Sequence, residues 1–243
     1  MFKSFQLSIS DFFAVITHAR VLASFKVSFG AALLAASVAS VFGGIIAWVF
    51  VRYQFPGKRM FDALIDLPFA LPTAVAGIVL ATIYQPSGIL GRLIMDTLGV
   101  QVAYKPLGIV MALIFISLPF VVRTVEPVLQ EFDTTMEEAA ASMGASRWQT
   151  FAKIIFPNLF PALLTGFALA FARGIGEYGS VIFIAGNLPY VSEILPLMII
   201  TKLEQYDIPA ATAIALTMLV ISFVLLLVIN LLQRWIRQRS GQL

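Results

Sequence analysis

The side chains here that could do chemistry are few, and most fall in pairs. Arg173 and Glu177 are four residues apart, and Arg123 and Glu126 three apart, so each pair can meet on one face of a helix. A lone charge at the centre of a helix in lipid costs roughly 2.5–3.5 kcal/mol, so pairing is the plain reading of both. Arg173 differs in its setting. It lies in an apolar run beside glycines, where an arginine can attract an anion. With Glu177 and the hydroxyl of Ser180 it forms a candidate anion pathway, and the hydroxyl of Thr165 could line the same route. Asp62 and Asp66, also four apart, put two carboxylates on one helical face, a pattern that suits cation or acid/base work. The simpler expectation for them is the first turn of a surface helix, where acid complements the helix dipole. Other chemistries find no residues. Cysteine is absent, which removes disulfides and thiolate metal sites, and His18 is the only histidine. No GxxxxGK[ST] phosphate loop and no HExxH zinc motif occurs, and no nucleophile sits beside a base. The expectation is a chain that is not an enzyme and holds neither a metal nor a cofactor of its own.

A second constellation is polar and continuous: residues 137–157, EEAAASMGASRWQTFAKIIFP. Its Ala-rich start favours helix, Gly144 interrupts it, and Arg147, Trp148 and Lys153 lead into another apolar run. A short helix, a turn and a second helix at the membrane surface are expected, presented to a soluble partner. An amphipathic helix lying only on lipid is the rival reading.

Both constellations need a membrane around them. Of 243 residues, 60% are hydrophobic and 12% charged, with mean hydropathy +0.94, against about 25% charged in soluble domains. Charge-free runs at 27–51, 67–91 and 208–233 each meet the roughly 20 residues that a bilayer core requires. The fold class expected is all-α, a polytopic transmembrane helix bundle. Its five spans fall at about 21–51, 60–84, 106–129, 158–186 and 208–235, within one membrane domain over 21–235. The polar loop occupies about 130–157. Pro68, Pro72, Pro119, Pro127 and Pro161 should kink or break the spans, which neighbours in a bundle tolerate.

Basic residues set the sidedness. Arg52, Lys58 and Arg59 follow the first span, Arg147 and Lys153 lie in the polar loop, and Arg234, Arg237 and Arg239 close the chain. Five spans put these three groups on one side, which the charge bias makes the cytoplasm. The other side holds Arg92 and Lys105 in one loop, and Lys202 with Glu193, Glu204 and Asp207 in the other. Trp48, Trp148 and Trp235 fall near the cytoplasmic boundaries, as interfacial anchors do. Residues 1–20 then form an external segment with no continuous apolar core of signal-peptide type, and 236–243 a basic cytoplasmic tail. No surface reads as nucleic-acid binding.

The polar stretch resembles the EAA loop of permease subunits from bacterial ABC importers, EAA-x3-G-x9-I-x-L-P. Glu138, Ala139, Ala140, Gly144, Ile154 and Pro157 stand at its spacings, with Phe156 in place of the usual leucine and Arg147 opening the second helix. RYQFPGKRMFDALIDLPFALPTAVAGIVLA, at 52–81, is similar to the sulfate and molybdate permeases. LPFVVRTVEPVLQEF at 118–132 and ARGIGEYGSVIFIAGN at 172–187 are similar to the sulfate branch, and the whole resembles the T-type subunit of sulfate/thiosulfate importers.

This resemblance implies the type I importer permease fold, import of sulfate and thiosulfate, and a multi-pass place in the bacterial cytoplasmic (inner) membrane. It implies as partners a second, different permease subunit, two ATP-binding cassette ATPase subunits that use the ATP, and a periplasmic sulfate-binding protein. The loop residues Glu138, Ala139, Ala140, Gly144, Arg147, Ile154 and Pro157 would couple the bundle to an ATPase. Family members usually have six spans with both ends inside, so the five read here are the expected departure. Molybdate or tungstate import by the same kind of permease is the alternative. An ion-coupled carrier or channel acting alone is another, separated by its independence of the ATPases.

Overall fold

A computed structural model describes residues 8–239, with side chains as far as Trp235. Residues 1–7 of the expected external segment and 240–243 of the expected tail lie outside the described residues, as do the side chains of 236–239. The described chain folds into helices joined by turns, with no strand among the described residues.

The short α1 (Ile9–Thr17) leads into α2 (Ala19–Arg52), the first helix long and apolar enough to cross a membrane. α6 (Pro106–Gln130), a continuous helix over Arg147–Ile175 and most of α12 (Ile208–Arg239) also meet that test. The continuous helix comprises α8 (Arg147–Thr150), a π-helical turn (Phe151–Ile155) and α9 (Phe156–Ile175). α2, α6 and α9 pack on one another to form the core.

What lets them approach is side-chain size. α2 buries Ala32, Ala35, Ala36, Ala39, Gly43 and Ala47, a stripe repeating every three or four residues. In lipid the hydrophobic effect does not drive helices together, so close packing over small residues takes its place. A Cβ on Gly43 would stand 2.8 Å from Val121 Cβ, so α6 rests against the bare backbone there. α12 contrasts with this core: Leu219 and Phe223 are each 65% exposed, as suits a helix facing lipid or another subunit.

The segment expected to cross at about 60–84 is broken. α3 (Lys58–Ala70) and α4 (Thr73–Tyr84) meet at 117° across Leu71 and Pro72. Pro72 has no N–H to continue the helix, and it holds Leu71 in extended backbone. The pair nonetheless runs the length of α6. Asp66 pairs with Arg123 near one end of that helix, and the Tyr84 carbonyl accepts from the N–H of Ala103, just before the other end.

Where a fourth span was expected over 158–186, the helix begins earlier and ends earlier, at Arg147 and Ile175. The capping of Ser146 starts it, and the glycine-rich run after Arg173 stops it. Beyond it come a short α10 (Val181–Ile184), a tight loop and α11 (Leu195–Glu204). α5 (Ile89–Leu98) follows α4 in the chain and packs against it.

Candidate functional site

The polar loop folds as two helices around one glycine. α7 (Thr135–Ser142) presents Glu138 and Ala139 outward and Ala140 inward, the last only 2% exposed. Gly144 follows in the left-handed region, φ +81°. There the Ala145 N–H donates to the Ala140 carbonyl at 3.0 Å and the Gly144 N–H to the Ala141 carbonyl at 2.9 Å. This crossed pair closes the end of α7, and it needs a residue that accepts positive φ. Ser146 then opens the next helix with a reciprocal cap: its hydroxyl accepts from the Gln149 N–H, and its own N–H donates to the Gln149 side chain. Asp133, ahead of α7, accepts from the Thr135 N–H at 2.9 Å, which holds its carboxyl below the usual carboxylate range.

Ile154 and Pro157 share a single local device. Pro157 cannot donate, and its ring crowds the preceding turn. The helix widens into its π-helical turn just before that proline, and the Asn158 side chain donates to the Ile154 carbonyl at 2.7 Å. The second helix of the loop therefore enters the membrane as one rod with α9.

The sequence reading missed what ties this element to the bundle. Glu137 forms an ion pair with Arg52 at the end of α2. The Arg52 guanidinium lies 5.0 Å over the ring of Trp48, and Trp48 meets Phe151 edge-on at 5.6 Å. Trp148 stacks on the same Phe151 at 5.7 Å. Three elements, α7, α2 and the π-helical turn, thus meet at one cluster. The only local signal was Arg52 at the mouth of the first span; its partner lies 85 residues away. Beside the cluster is a cleft of about 400 Å³, lined by Glu137, Glu138, Arg147 and Thr150 among others. Glu138 itself has no hydrogen bond or ion pair from its side chain among the described residues. The face around it is open: Met143 is 82% and Trp148 73% exposed, with Arg147 exposed between them.

The candidate pathway residues do come together. Arg173 pairs with Glu177, which is 3% exposed. Glu177 Oε1 accepts from both the N–H of Ser180 at 2.8 Å and its hydroxyl at 2.9 Å. Thr165 instead donates its hydroxyl to the Pro161 carbonyl, within its own helix.

Two other arginines are held more firmly. Arg123 meets Glu126, as its spacing suggested, and also Asp62 and Asp66, all within 2.9 Å. The expectation that the two aspartates sit in a first helical turn gives way to this cross-helix pairing, since α3 starts at Lys58 and Asp62 is already beyond its first turn. Arg20 makes a two-pronged contact with Glu193, at 2.8 and 2.7 Å, joining α2 to the loop before α11. That pair joins residues 173 apart in sequence, beyond the reach of any local pattern. His18 accepts from the Arg20 N–H and precedes α2.

Residues 39–242 match the family model described as binding-protein-dependent transport system inner membrane component. The chain is 50% identical over 239 residues to the sulfate transport system permease protein CysT of Synechocystis sp., covering 98% of this chain and 83% of that one. It is 48% identical over 228 residues to the sulfate transport system permease protein CysT of Escherichia coli, covering 94% and 82%. Among solved structures, a bacterial ABC transporter that imports the acidic polysaccharide alginate matches with TM-score 0.75 at 16% identity, over 94% of this chain and 84% of that one. The MetNI methionine ABC transporter, in inward-facing form, matches at 0.62 and 17% identity, over 89% and 94%. At such identities the structural matches speak for the fold alone.

Proposed function

The chain belongs to the family of binding-protein-dependent transport system inner membrane components, and from that premise we propose that it passes sulfate through the bacterial cytoplasmic membrane. It is a multi-pass permease subunit of an ABC importer, and ATP hydrolysis resides in a separate subunit of such systems. The sulfate reading rests on about half of all positions being identical, over nearly the whole chain, to sulfate permeases. Thiosulfate follows as a second cargo of similar charge and shape.

In this reading α7 and its Gly144 turn seat on an ATPase that uses the ATP, and the chain itself holds no cofactor. The ion pair of Glu137 with Arg52, and the Trp48–Phe151 contact, then carry the ATPase's displacement to α2 and α9 together. Because the helix from Arg147 runs unbroken into α9, motion at the loop becomes motion of a span. The complete assembly has two ATP-binding cassette subunits, a second and different permease subunit, and a periplasmic sulfate-binding protein that supplies the high affinity. The α7 end faces the cytoplasm. The distribution of basic residues supports that side: Arg52, Lys58, Arg59, Arg147, Lys153 and Arg234 crowd the α7 end, against Arg20, Lys26, Arg92, Lys105 and Lys202 toward the other.

Uptake of labelled sulfate, in cells whose other sulfate systems are deleted, tests this reading. Uptake should require the cassette ATPases and should be displaced by thiosulfate before molybdate. Uptake without those ATPases, or preferential displacement by molybdate, would assign the chain elsewhere.

A further inference from the structure

Arg20, Arg123 and Arg173 all lie within the spans and pair with nearby acids, and they differ in how many of their donors those acids take up. Arg20 spends two nitrogens on Glu193, and Arg123 uses all three of its nitrogens on Asp62, Asp66 and Glu126. Arg173 is held through a single nitrogen, to Glu177, and that is its only ion pair among the described residues. Its side chain is 33% exposed.

The depth of this arginine follows from a neighbouring bond. Ser117, near the middle of α6, donates its hydroxyl to the Ala170 carbonyl at 3.2 Å. Arg173 is three residues further along α9, about 4.5 Å at the helical rise. A third-exposed guanidinium so near the membrane centre does not face hydrocarbon, where it would be costly. In the sulfate reading above, that open side is where a passing anion meets the guanidinium.

The carboxylate beside it is fixed in place. Both Ser180 donors hold Glu177 Oε1, and Ser180 itself is fully buried. α4 clamps that turn: a Cβ on Gly77 would stand 2.4 Å from the Ser180 carbonyl oxygen, and one on Gly179 2.2 Å from Thr73 Oγ1. Glu177 therefore keeps its place when the arginine swings away.

We propose that Glu177 is a built-in competitor for Arg173, one that denies the guanidinium to monovalent anions and yields it to a divalent oxyanion. This inference rests on the sulfate reading above. A monoanion brings no more charge than the carboxylate already there and must also be desolvated. A tetrahedral dianion costs more to desolvate, and in return it brings twice the charge and several acceptor oxygens for the unused donors of the guanidinium, which a monatomic anion lacks. The same competition helps release, because Glu177 reclaims the arginine as the cargo moves on. Glu177 is thus a specificity-determining residue that acts through Arg173.

The test uses the complete complex in proteoliposomes, with sulfate uptake measured while chloride replaces gluconate. Wild type should be indifferent to chloride at ordinary concentrations. Glu177→Gln should let chloride inhibit, with its inhibition constant lowered on the order of tenfold. The sulfate KM and kcat should fall together in that variant, as release slows. Unchanged chloride response and unchanged KM in Glu177→Gln would overturn the proposal. Should that variant fail to assemble, the Arg173→Gln/Glu177→Gln double variant, which leaves no unpaired charge, takes its place. It should stay chloride-indifferent and lose kcat/KM for sulfate; wild-type sulfate kinetics in it would overturn the proposal equally. A wild-type complex that moves no sulfate would instead remove the functional reading itself.

Discussion

Gly144 should resist replacement for a reason internal to the backbone. Its φ is +81°, and an L-residue bearing a Cβ pays about 1–2 kcal/mol to adopt such a conformation. Nothing in this chain lies within 4 Å of where that Cβ would stand, so no clash adds to the strain. The two bonds that close α7, from the N–H groups of Ala145 and Gly144, exist only in that conformation. A penalty of this size depopulates the closed turn by roughly 5- to 30-fold against open alternatives. The bundle should be untouched, because α7 buries only Ala140. Gly144→Ala is therefore expected to insert and assemble normally while ATP-dependent uptake falls several-fold and ATP hydrolysis continues. Asparagine tolerates positive φ better than other non-glycine residues, so Gly144→Asn should retain most uptake, and Gly144→Val the least. The measurement is uptake and ATPase rate per complex in proteoliposomes for the three variants. If valine and asparagine both fail while alanine works, bulk against another subunit governs this position and the backbone argument is wrong. Wild-type uptake in all three would refute it too.

Sidedness can be read directly, since the chain has no cysteine. Met143→Cys should react with a membrane-impermeant maleimide only from the cytoplasmic face, and Tyr190→Cys, 57% exposed at the opposite end, only from outside. Arg123→Gln leaves Asp62, Asp66 and Glu126 facing one another. It should cost about 1–2 kcal/mol, less than a fully buried pair because these side chains are 19–48% exposed, and lower the melting temperature of the purified complex. The companion Asp66→Asn should cost less, as Arg123 keeps two acids. Gly77→Ala drives a methyl to 2.4 Å from the Ser180 carbonyl and should destabilise by about 1–3 kcal/mol, seen in the same melting experiment; an unshifted melt would show that α4 is free to move aside.

Much of this molecule can be read from local pattern. Long apolar runs announce α2, α6 and α12 because a bilayer demands about 20 such residues wherever they fall. The spacing from Glu138 to Pro157 announces a helix, a glycine turn and a second helix, since capping and positive φ are decided within a few residues. Arg123 with Glu126 follows from helical geometry alone, and Arg173 meets Glu177 at a similar spacing although α9 ends at Ile175, between them. Tertiary structure decides the rest. Proline at 72 warns of a break, yet the 117° turn comes from how α3 and α4 lie against α6 and α10. Asp62 and Asp66 look like surface acids until α6 brings Arg123 to them, and Glu137 and Glu193 find Arg52 and Arg20 only across the bundle. Local periodicity sees a handful of neighbours along one helix. The partner of a charge in a membrane is whichever opposite charge the packing of separate helices delivers, and in this chain small residues such as Gly43 and Gly77 set that packing.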